Sequence, residues 1–177
     1  LVNTPTCDMG PDDLALVAER LAKQFKAKIE ITRGEELLIK GYNTIHTVGR
    51  AAEKEPCLID IKWGNEKAPK INLVGKGVCF DTGGLDIKPS GAMVTMKKDM
   101  GGAAHVLGLG QMIMESGLDI RLRILIPAVE NNIAGNRQII PSSNKLDKEK
   151  VKVEKKVEKK VEEKEGGFKL PKLFGGE

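Results

Sequence analysis

Aromatic residues are scarce, at 3% of the 177 residues. Proteins that bind single-stranded nucleic acid stack aromatic side chains on the bases, so this class is excluded. Long apolar runs are also missing. The longest, around Ile126, is interrupted by Arg121 and Arg123 and is shorter than the roughly 20 residues of a membrane span. We therefore expect no nucleic-acid partner and no membrane partner.

Cysteines are few and net charge is small. Cys7, Cys57 and Cys79 form no Cys-x-x-Cys pair, which argues against disulfides and structural zinc. We expect a cytoplasmic protein, because this usage fits a reducing compartment. From Lys145 onward there are eleven lysines and eight acidic residues, which leaves only +1 of the total charge of +4 for the preceding residues. That part shows no basic stripe for phosphates.

The composition changes abruptly after about residue 140. Residues 145–165 contain no Gly, Pro or aromatic residue, and VEKKVEKKVEEK repeats every four residues. This period drifts by about 40° per repeat on an α-helix, so it makes a poor coiled-coil seam. We predict one globular domain over residues 1–140. Residues 141–177 are predicted to form a Lys/Glu-rich low-complexity tail, disordered or partly helical, with an interaction helix as the alternative.

Strands and helices alternate along the globular part. Pro11, followed by two acidic residues, predicts the start of a helix, and apolar residues recur at helical spacing as far as Phe25. The other predicted elements are strands over 28–32, 57–63, 70–74 and 120–127, a short helix over 34–40 and a buried helix over 101–116. In the 57–63 strand apolar residues alternate with Asp60 and Lys62, which predicts that one face of the strand is exposed to solvent and that the strand lies near a sheet edge. The pattern indicates an α/β fold, a sheet flanked by helices.

Residues 76–104, KGVCFDTGGLDIKPSGAMVTMKKDMGGAA, carry most of the candidate chemistry. The glycine-rich part, Gly75 to Gly84, is predicted to be a loop that follows the 70–74 strand. Its glycines allow close backbone approach to a ligand, but their spacing fits neither a phosphate-binding P-loop nor a serine-hydrolase elbow. Asp81 and Asp99 offer hard oxygen ligands for Mn, Mg or Zn. On spacing alone, a helix cap and a turn residue are the more common roles for two such aspartates. Lys76 and Lys88 are likewise consistent with solvent-facing lysines.

This segment resembles the catalytic signature of the leucyl aminopeptidase, or cytosol aminopeptidase, family of two-metal exopeptidases. The shared motifs are KGxxFDxGG, KPS and MKxDMGGAA, with further likeness at VNTP, VGR and PAVEN over about residues 1–137. The resemblance implies an α/β catalytic domain that removes N-terminal residues from peptide substrates. It also implies two divalent metal ions, Mn or Zn, and a homo-hexamer in intact family members.

The resemblance also implies roles for five residues. Lys76 matches a lysine whose neutral amine ligates one metal, Asp81 a carboxylate that bridges both metals, and Asp99 a further carboxylate ligand. Lys88 matches the catalytic lysine, a cation that polarises the scissile carbonyl and stabilises the developing oxyanion. Met96 matches a residue that lines the pocket for the first side chain of the substrate. Ordinary core packing of Met96 remains an alternative.

The sequence departs from the family pattern at one important place. The second signature, NTDAEGR, would supply two more carboxylate ligands and an arginine, and it is absent. The chain also begins at Leu1 rather than Met, and we expect a piece of a longer protein. We therefore expect an incomplete catalytic domain with a charged C-terminal tail, a truncated aminopeptidase that is impaired or inactive. The alternative is a non-catalytic remnant that binds a partner or a single metal ion weakly.

Overall fold

A computed structural model describes residues 1–133. The predicted tail over 141–177 and the boundary at residue 140 lie outside the described residues. Within 1–133 the chain forms five strands, five α-helices and one 3₁₀ helix. The helices are α1 (Pro11–Gln24), α2 (Glu36–Ile39), α3 (Asn43–Gly49), α4 (Ser90–Met93), the 3₁₀ helix (Met96–Met100) and α5 (Gly101–Ser116). The strands are β1 (Lys28–Arg33), β2 (Cys57–Gly64), β3 (Lys70–Val74), β4 (Gly77–Asp81) and β5 (Arg121–Asn131).

The two long helices confirm the sequence prediction. Helix α1 begins at Pro11, and the Asp13 carboxylate accepts a 3.0 Å hydrogen bond from the backbone N–H of Gly10, which satisfies an otherwise unpaired donor at the helix start. Helix α5 ends before Gly117, whose φ of 65° lies in the left-handed region. Glycine adopts this conformation without steric cost, so it ends the helix as predicted.

The sheet is mixed, and β5 lies at its centre. The strand order is β1-β2-β5-β3, with β4 also paired to β5. β1, β2 and β5 are antiparallel, whereas β3 and β4 follow one another along the same side of β5, both parallel to it. Because β4 and β5 are parallel, their C-terminal ends lie side by side, and Asp81 is the register partner of Asn131 there.

The hydrophobic core lies between the sheet and helices α1 and α5. It is built from alternating residues of β2 and β5, such as Ile59 and Ile124, packed against apolar helix residues such as Leu14. This arrangement confirms the predicted α/β fold with a sheet flanked by helices. No helix within residues 1–133 has the length and apolar character that crossing a membrane requires.

Three local predictions were wrong. β2 lies next to the edge strand β1, near the sheet edge as predicted, but its face is not wet at Asp60, whose side chain is only 9% exposed and pairs with Arg123. The glycine-rich segment after β3 was predicted as a loop but contains β4. Helix α5 is buried on one face only, since Met112 is 67% exposed within the described part of the chain.

Candidate metal centre and active site

Lys76 lies at the joint between β3 and β4, where the first turn of helix α5 packs against the sheet. Its backbone carbonyl accepts a 2.9 Å hydrogen bond from the N–H of Ala103 in the first turn of α5. The preceding residue must be small, because a Cβ on Gly75 would lie 2.6 Å from the carbonyl oxygen of Gly102. The close approach holds the start of α5, and the 3₁₀ helix that leads into it, against the strand joint.

Asp99 lies on that 3₁₀ helix and contacts Lys76. The Lys76 Nζ is 2.8 Å from Asp99 Oδ1, to which it donates a hydrogen bond, and 2.7 Å from Oδ2. The Asp99 side chain is only 22% exposed. Its Oδ2 is buried and accepts no hydrogen bond, because the Lys76 contact at this oxygen has the distance of an ion pair but not the angles of a hydrogen bond.

Asp81 ends β4 and forms the second ion pair of the site. The Lys88 Nζ lies 2.9 Å from Asp81 Oδ2, and the backbone N–H of Gly83 donates a 2.9 Å hydrogen bond to Oδ1. The tight turn after β4 allows this contact, since Gly83 has a φ of 92°. The Asp81 side chain is 16% exposed and that of Lys88 29% exposed, so the pair is largely shielded from solvent.

The charges of the two ion pairs act on one another. Burial acts to raise the pKa of Asp81. The hydrogen bonds from Lys88, Gly83 and Asn131 outweigh burial and hold the pKa of this carboxyl below its ordinary value. The Asp81 carboxylate raises the pKa of Lys88, and the charge of Asp99 acts in the same direction. Asp81 is therefore an anion and Lys88 a cation at neutral pH.

The donor set fits a hard divalent cation in part. Two carboxylates and one amine belong to two ion pairs that act on one another. The buried Oδ2 of Asp99 has the Lys76 ammonium as its cationic partner, a place that a metal ion could take. Within residues 1–133 no three His, Cys, Asp or Glu side chains lie close enough to hold a metal ion. Glu130, the nearest acidic residue in sequence to the end of β5, instead accepts a 3.2 Å hydrogen bond from Thr6.

Met96, the predicted pocket residue, starts the same 3₁₀ helix that carries Asp99. Side chains three residues apart lie above one another in a 3₁₀ helix, so Met96 and Asp99 share a face. Met96 is half-buried, whereas Met100 at the end of the helix is fully buried. Met100 is therefore a core residue, whereas Met96 is only partly packed into the core.

Asn131 is a site residue that motif reasoning missed. Its side-chain amide donates a 2.7 Å hydrogen bond to Asp81 Oδ1, and its backbone carbonyl accepts a 2.8 Å hydrogen bond from the Thr82 hydroxyl. The PAVEN segment contained the residue, but its role depends on the parallel pairing of β4 and β5. That pairing could not be read from the sequence, because β4 was not predicted.

The mixed sheet with helices on its faces places the chain in the α/β class. Residues 1–159 match the cytosol aminopeptidase family, catalytic domain, and the chain belongs to this family. The match extends past residue 137, where the sequence likeness was expected to end.

Relatives and solved structures agree with this assignment. Peptidase B of Pectobacterium carotovorum is 39% identical over 142 residues, which cover 76% of this chain and 33% of the relative. The cytosol aminopeptidase of Coxiella burnetii is 57% identical with a TM-score of 0.74, covering 80% of this chain and 30% of that one. The bottromycin maturation enzyme BotP, solved in complex with Mn, is 35% identical with a TM-score of 0.71, covering 76% and 30%. The chain thus spans about a third of the length of these proteins.

Proposed function

We propose that this chain carries part of the catalytic site of a metal-dependent aminopeptidase that releases N-terminal amino acids from peptides. The observation that carries the proposal is the presence of Lys76, Asp81, Lys88 and Asp99 in two ion pairs, Lys76 with Asp99 and Lys88 with Asp81, with Asp99 acting on Lys88 through its charge. Membership of the cytosol aminopeptidase family supports it. The buried Asp99 Oδ2 already has a cationic partner, the Lys76 ammonium at 2.7 Å, whose place a metal ion could take.

In this proposal Lys76, Asp81 and Asp99 hold divalent metal ions. Mn²⁺ is our first choice, because a similar structure contains Mn, and Zn²⁺ is the second. When bound, such ions supply charge that stabilises a developing oxyanion and acidify a bound water. Lys76 can ligate only as a neutral amine, so metal binding has to release its proton. The present contact between Lys76 and Asp99 would then give way to contacts with the metal.

Lys88 is the proposed catalytic residue among those described. Its ammonium group is held beside the Asp81 carboxylate by a 2.9 Å contact, and its raised pKa keeps it charged at neutral pH. A cation fixed before the substrate arrives stabilises negative charge on a carbonyl oxygen without having to reorganise during the reaction. Met96, on the same face as Asp99, would contact the first side chain of the peptide.

The chain as it stands should be a poor catalyst. Two carboxylates and an amine are fewer ligands than two divalent ions require, and no further acidic residue within 1–133 joins them. The expected result of a leucine p-nitroanilide assay with added Mn²⁺ is slow, metal-dependent hydrolysis that Lys88→Met removes while Mn²⁺ binding persists. Rapid turnover by the pure chain would contradict the expected impairment. Hydrolysis unaffected by Lys88→Met would contradict the role of Lys88.

A second candidate function is weak binding of a single metal ion without catalysis. It is favoured by the same shortage of acidic side chains around Asp81 and Asp99. The assay separates the two functions, because a non-catalytic metal protein binds Mn²⁺ but gives no hydrolysis above that of free Mn²⁺.

Peptide substrates, a cytoplasmic location and assembly into a homo-hexamer follow the family pattern and belong to this proposal. Within the described residues β3 is an edge strand that is exposed along most of its length. Such an edge can pair with another chain. Size-exclusion chromatography with light scattering tests assembly, and a sharp hexamer peak supports it, whereas a monomer peak argues against it.

A further inference from the structure

A cleft of about 540 Å³ lies at the start of β5. Lys76 lies between Val74 and Gly77, whose register partners on β5 are Leu125 and Ala128. This is about five residues along β5 from Arg121, or roughly 17 Å at about 3.3 Å per residue. Neither Lys76 nor Asp99 lines the cleft, so the cleft is a separate site. Its lining contains one acidic residue, Glu66, together with Trp63 and six cationic side chains. The cations are Lys26, Lys28, Lys62, Lys70, Arg121 and Arg123.

Strand pairing brings these cations together. Lys28 of β1 is the register partner of Lys62 in β2, and Lys62 is the partner of Arg123 in β5. Two residues further along, Arg121 is the partner of Lys70 in β3. Like charges directly opposite one another on neighbouring strands are destabilising. Sheet formation thus concentrates positive charge that the sequence, with these residues far apart, showed no sign of concentrating.

Acidic side chains neutralise only part of this charge. Asp60 holds Arg123 through two hydrogen bonds of 2.9 Å and also contacts Lys62. Glu66 lies 3.9 Å from Lys28, and both side chains are at least 80% exposed, so this pair contributes little. Within residues 1–133 the remaining three cations have no ion-pair partner. They are Lys26, Lys70 and Arg121.

We propose that the cleft binds a small molecule that carries two or more phosphate groups. Three cations without acidic partners call for an anion of more than one negative charge. Lysine and arginine both bind phosphate oxygens strongly, arginine through paired hydrogen bonds. The volume lies within the range of small-molecule sites. Trp63, which follows Lys62 in β2, lies in the lining and packs against the hydrophobic core beside the cleft.

Trp63 is the only tryptophan of the chain, so its fluorescence reports this cleft directly. Inorganic pyrophosphate is titrated into the full chain without divalent metal at constant ionic strength, with citrate and inorganic phosphate as separate arms. The expected result is a saturable change with pyrophosphate and weaker binding of the other two anions. A response that does not saturate overturns the proposal, and citrate binding as tightly as pyrophosphate overturns the assignment to phosphate.

Charge-matched variants show whether the cleft itself binds the anion. Lys70→Gln with Arg121→Gln should weaken pyrophosphate binding roughly tenfold, since two exposed cations are lost. Arg20→Gln with Arg50→Gln removes the same charge from exposed positions outside the cleft and should leave affinity unchanged. Equal weakening in both double variants indicates general charge attraction and overturns the proposal.

Two further variants keep the test decisive. Lys70→Arg with Arg121→Lys retains both charges and should retain binding, which separates loss of charge from damage to the fold. Lys76→Gln should leave pyrophosphate binding intact, because Lys76 does not line the cleft. Loss of binding in Lys76→Gln would place the anion at the proposed metal centre and overturn the proposal.

Discussion

Asn131 and Asp81 are register partners on two parallel strands, and the amide of Asn131 donates a 2.7 Å hydrogen bond to Asp81 Oδ1. The bond occupies one carboxylate oxygen and directs the other, Oδ2, toward Lys88. Partners of this kind orient metal ligands in proteins, and their loss typically weakens metal binding. Asn131 therefore acts on the proposed metal centre through Asp81.

Replacement of Asn131 by alanine should weaken Mn²⁺ binding by about 10- to 100-fold, the usual effect of losing a group that orients a ligand. Isothermal titration calorimetry on the metal-free chain measures the change. Asn72→Ala is the matched control, because Asn72 is an exposed amide on β3 far from the site. Equal affinity in Asn131→Ala and the unmodified chain would show that Asp81 needs no such support.

Asp60 should make the stability of the domain depend on pH in the acid range. Burial acts to raise the pKa of Asp60, but hydrogen bonds from Arg123 and Lys62 outweigh it and hold the pKa below its ordinary value of 3.8. A carboxyl with a lowered pKa in the folded state stabilises above its unfolded-state pKa. This contribution is lost as the pH falls through the lower, folded-state value.

Asp60→Asn should therefore lower the free energy of unfolding by about 1–3 kcal/mol near neutral pH, because it leaves Arg123 without its carboxylate partner. The deficit should shrink as the pH falls below about 4. Urea unfolding at pH 7, 4 and 3 measures it. Glu66→Gln, which removes an exposed carboxylate 3.9 Å from Lys28, should change little at any pH. A deficit that is constant with pH would refute the electrostatic explanation.

Gly75 should tolerate no side chain. A Cβ there would lie 2.5 Å from Val106 Cγ2 and 2.6 Å from the carbonyl oxygen of Gly102. Gly75→Ala should force α5 away from the strand joint and destabilise the domain by about 1–3 kcal/mol. Gly108→Ala on the exposed side of α5, where nothing lies within 4 Å, should instead stabilise it by about 0.5–1 kcal/mol. Thermal unfolding followed by circular dichroism compares the two variants.

The two long helices were predicted well because their signals lie within the helix or next to it. These signals are a proline at the start of α1, a glycine after the end of α5 and the apolar residues that each helix carries. Strand β4 was missed for the opposite reason. Gly75 just before it and Gly77 at its start indicate a loop by local preference. They are required by close contacts, of Gly75 with α5 and of Gly77 with β5, that are distant in sequence. Tertiary packing here overrides local propensity.

The same distinction applies to the two sites. The family motif pointed to Lys76, Asp81, Lys88 and Asp99. The structure pairs Lys76 with Asp99 and Lys88 with Asp81, while their roles as ligands and catalyst stay predictions. The support from Asn131 and the cationic cleft both arise from strand register. Register joins residues such as Lys70 and Arg121 that sequence spacing does not connect.

The central claim, that Asp81 and Asp99 hold a divalent cation, is tested most directly by titrating Mn²⁺ into the metal-free chain by calorimetry. Asp99→Asn should weaken binding by at least roughly tenfold, since affinity depends on the number of charged ligands. Asp86→Asn, an exposed acid in the loop between Asp81 and Lys88, should leave it unchanged. No Mn²⁺ binding by the unmodified chain, or equal binding by Asp99→Asn, would contradict the account.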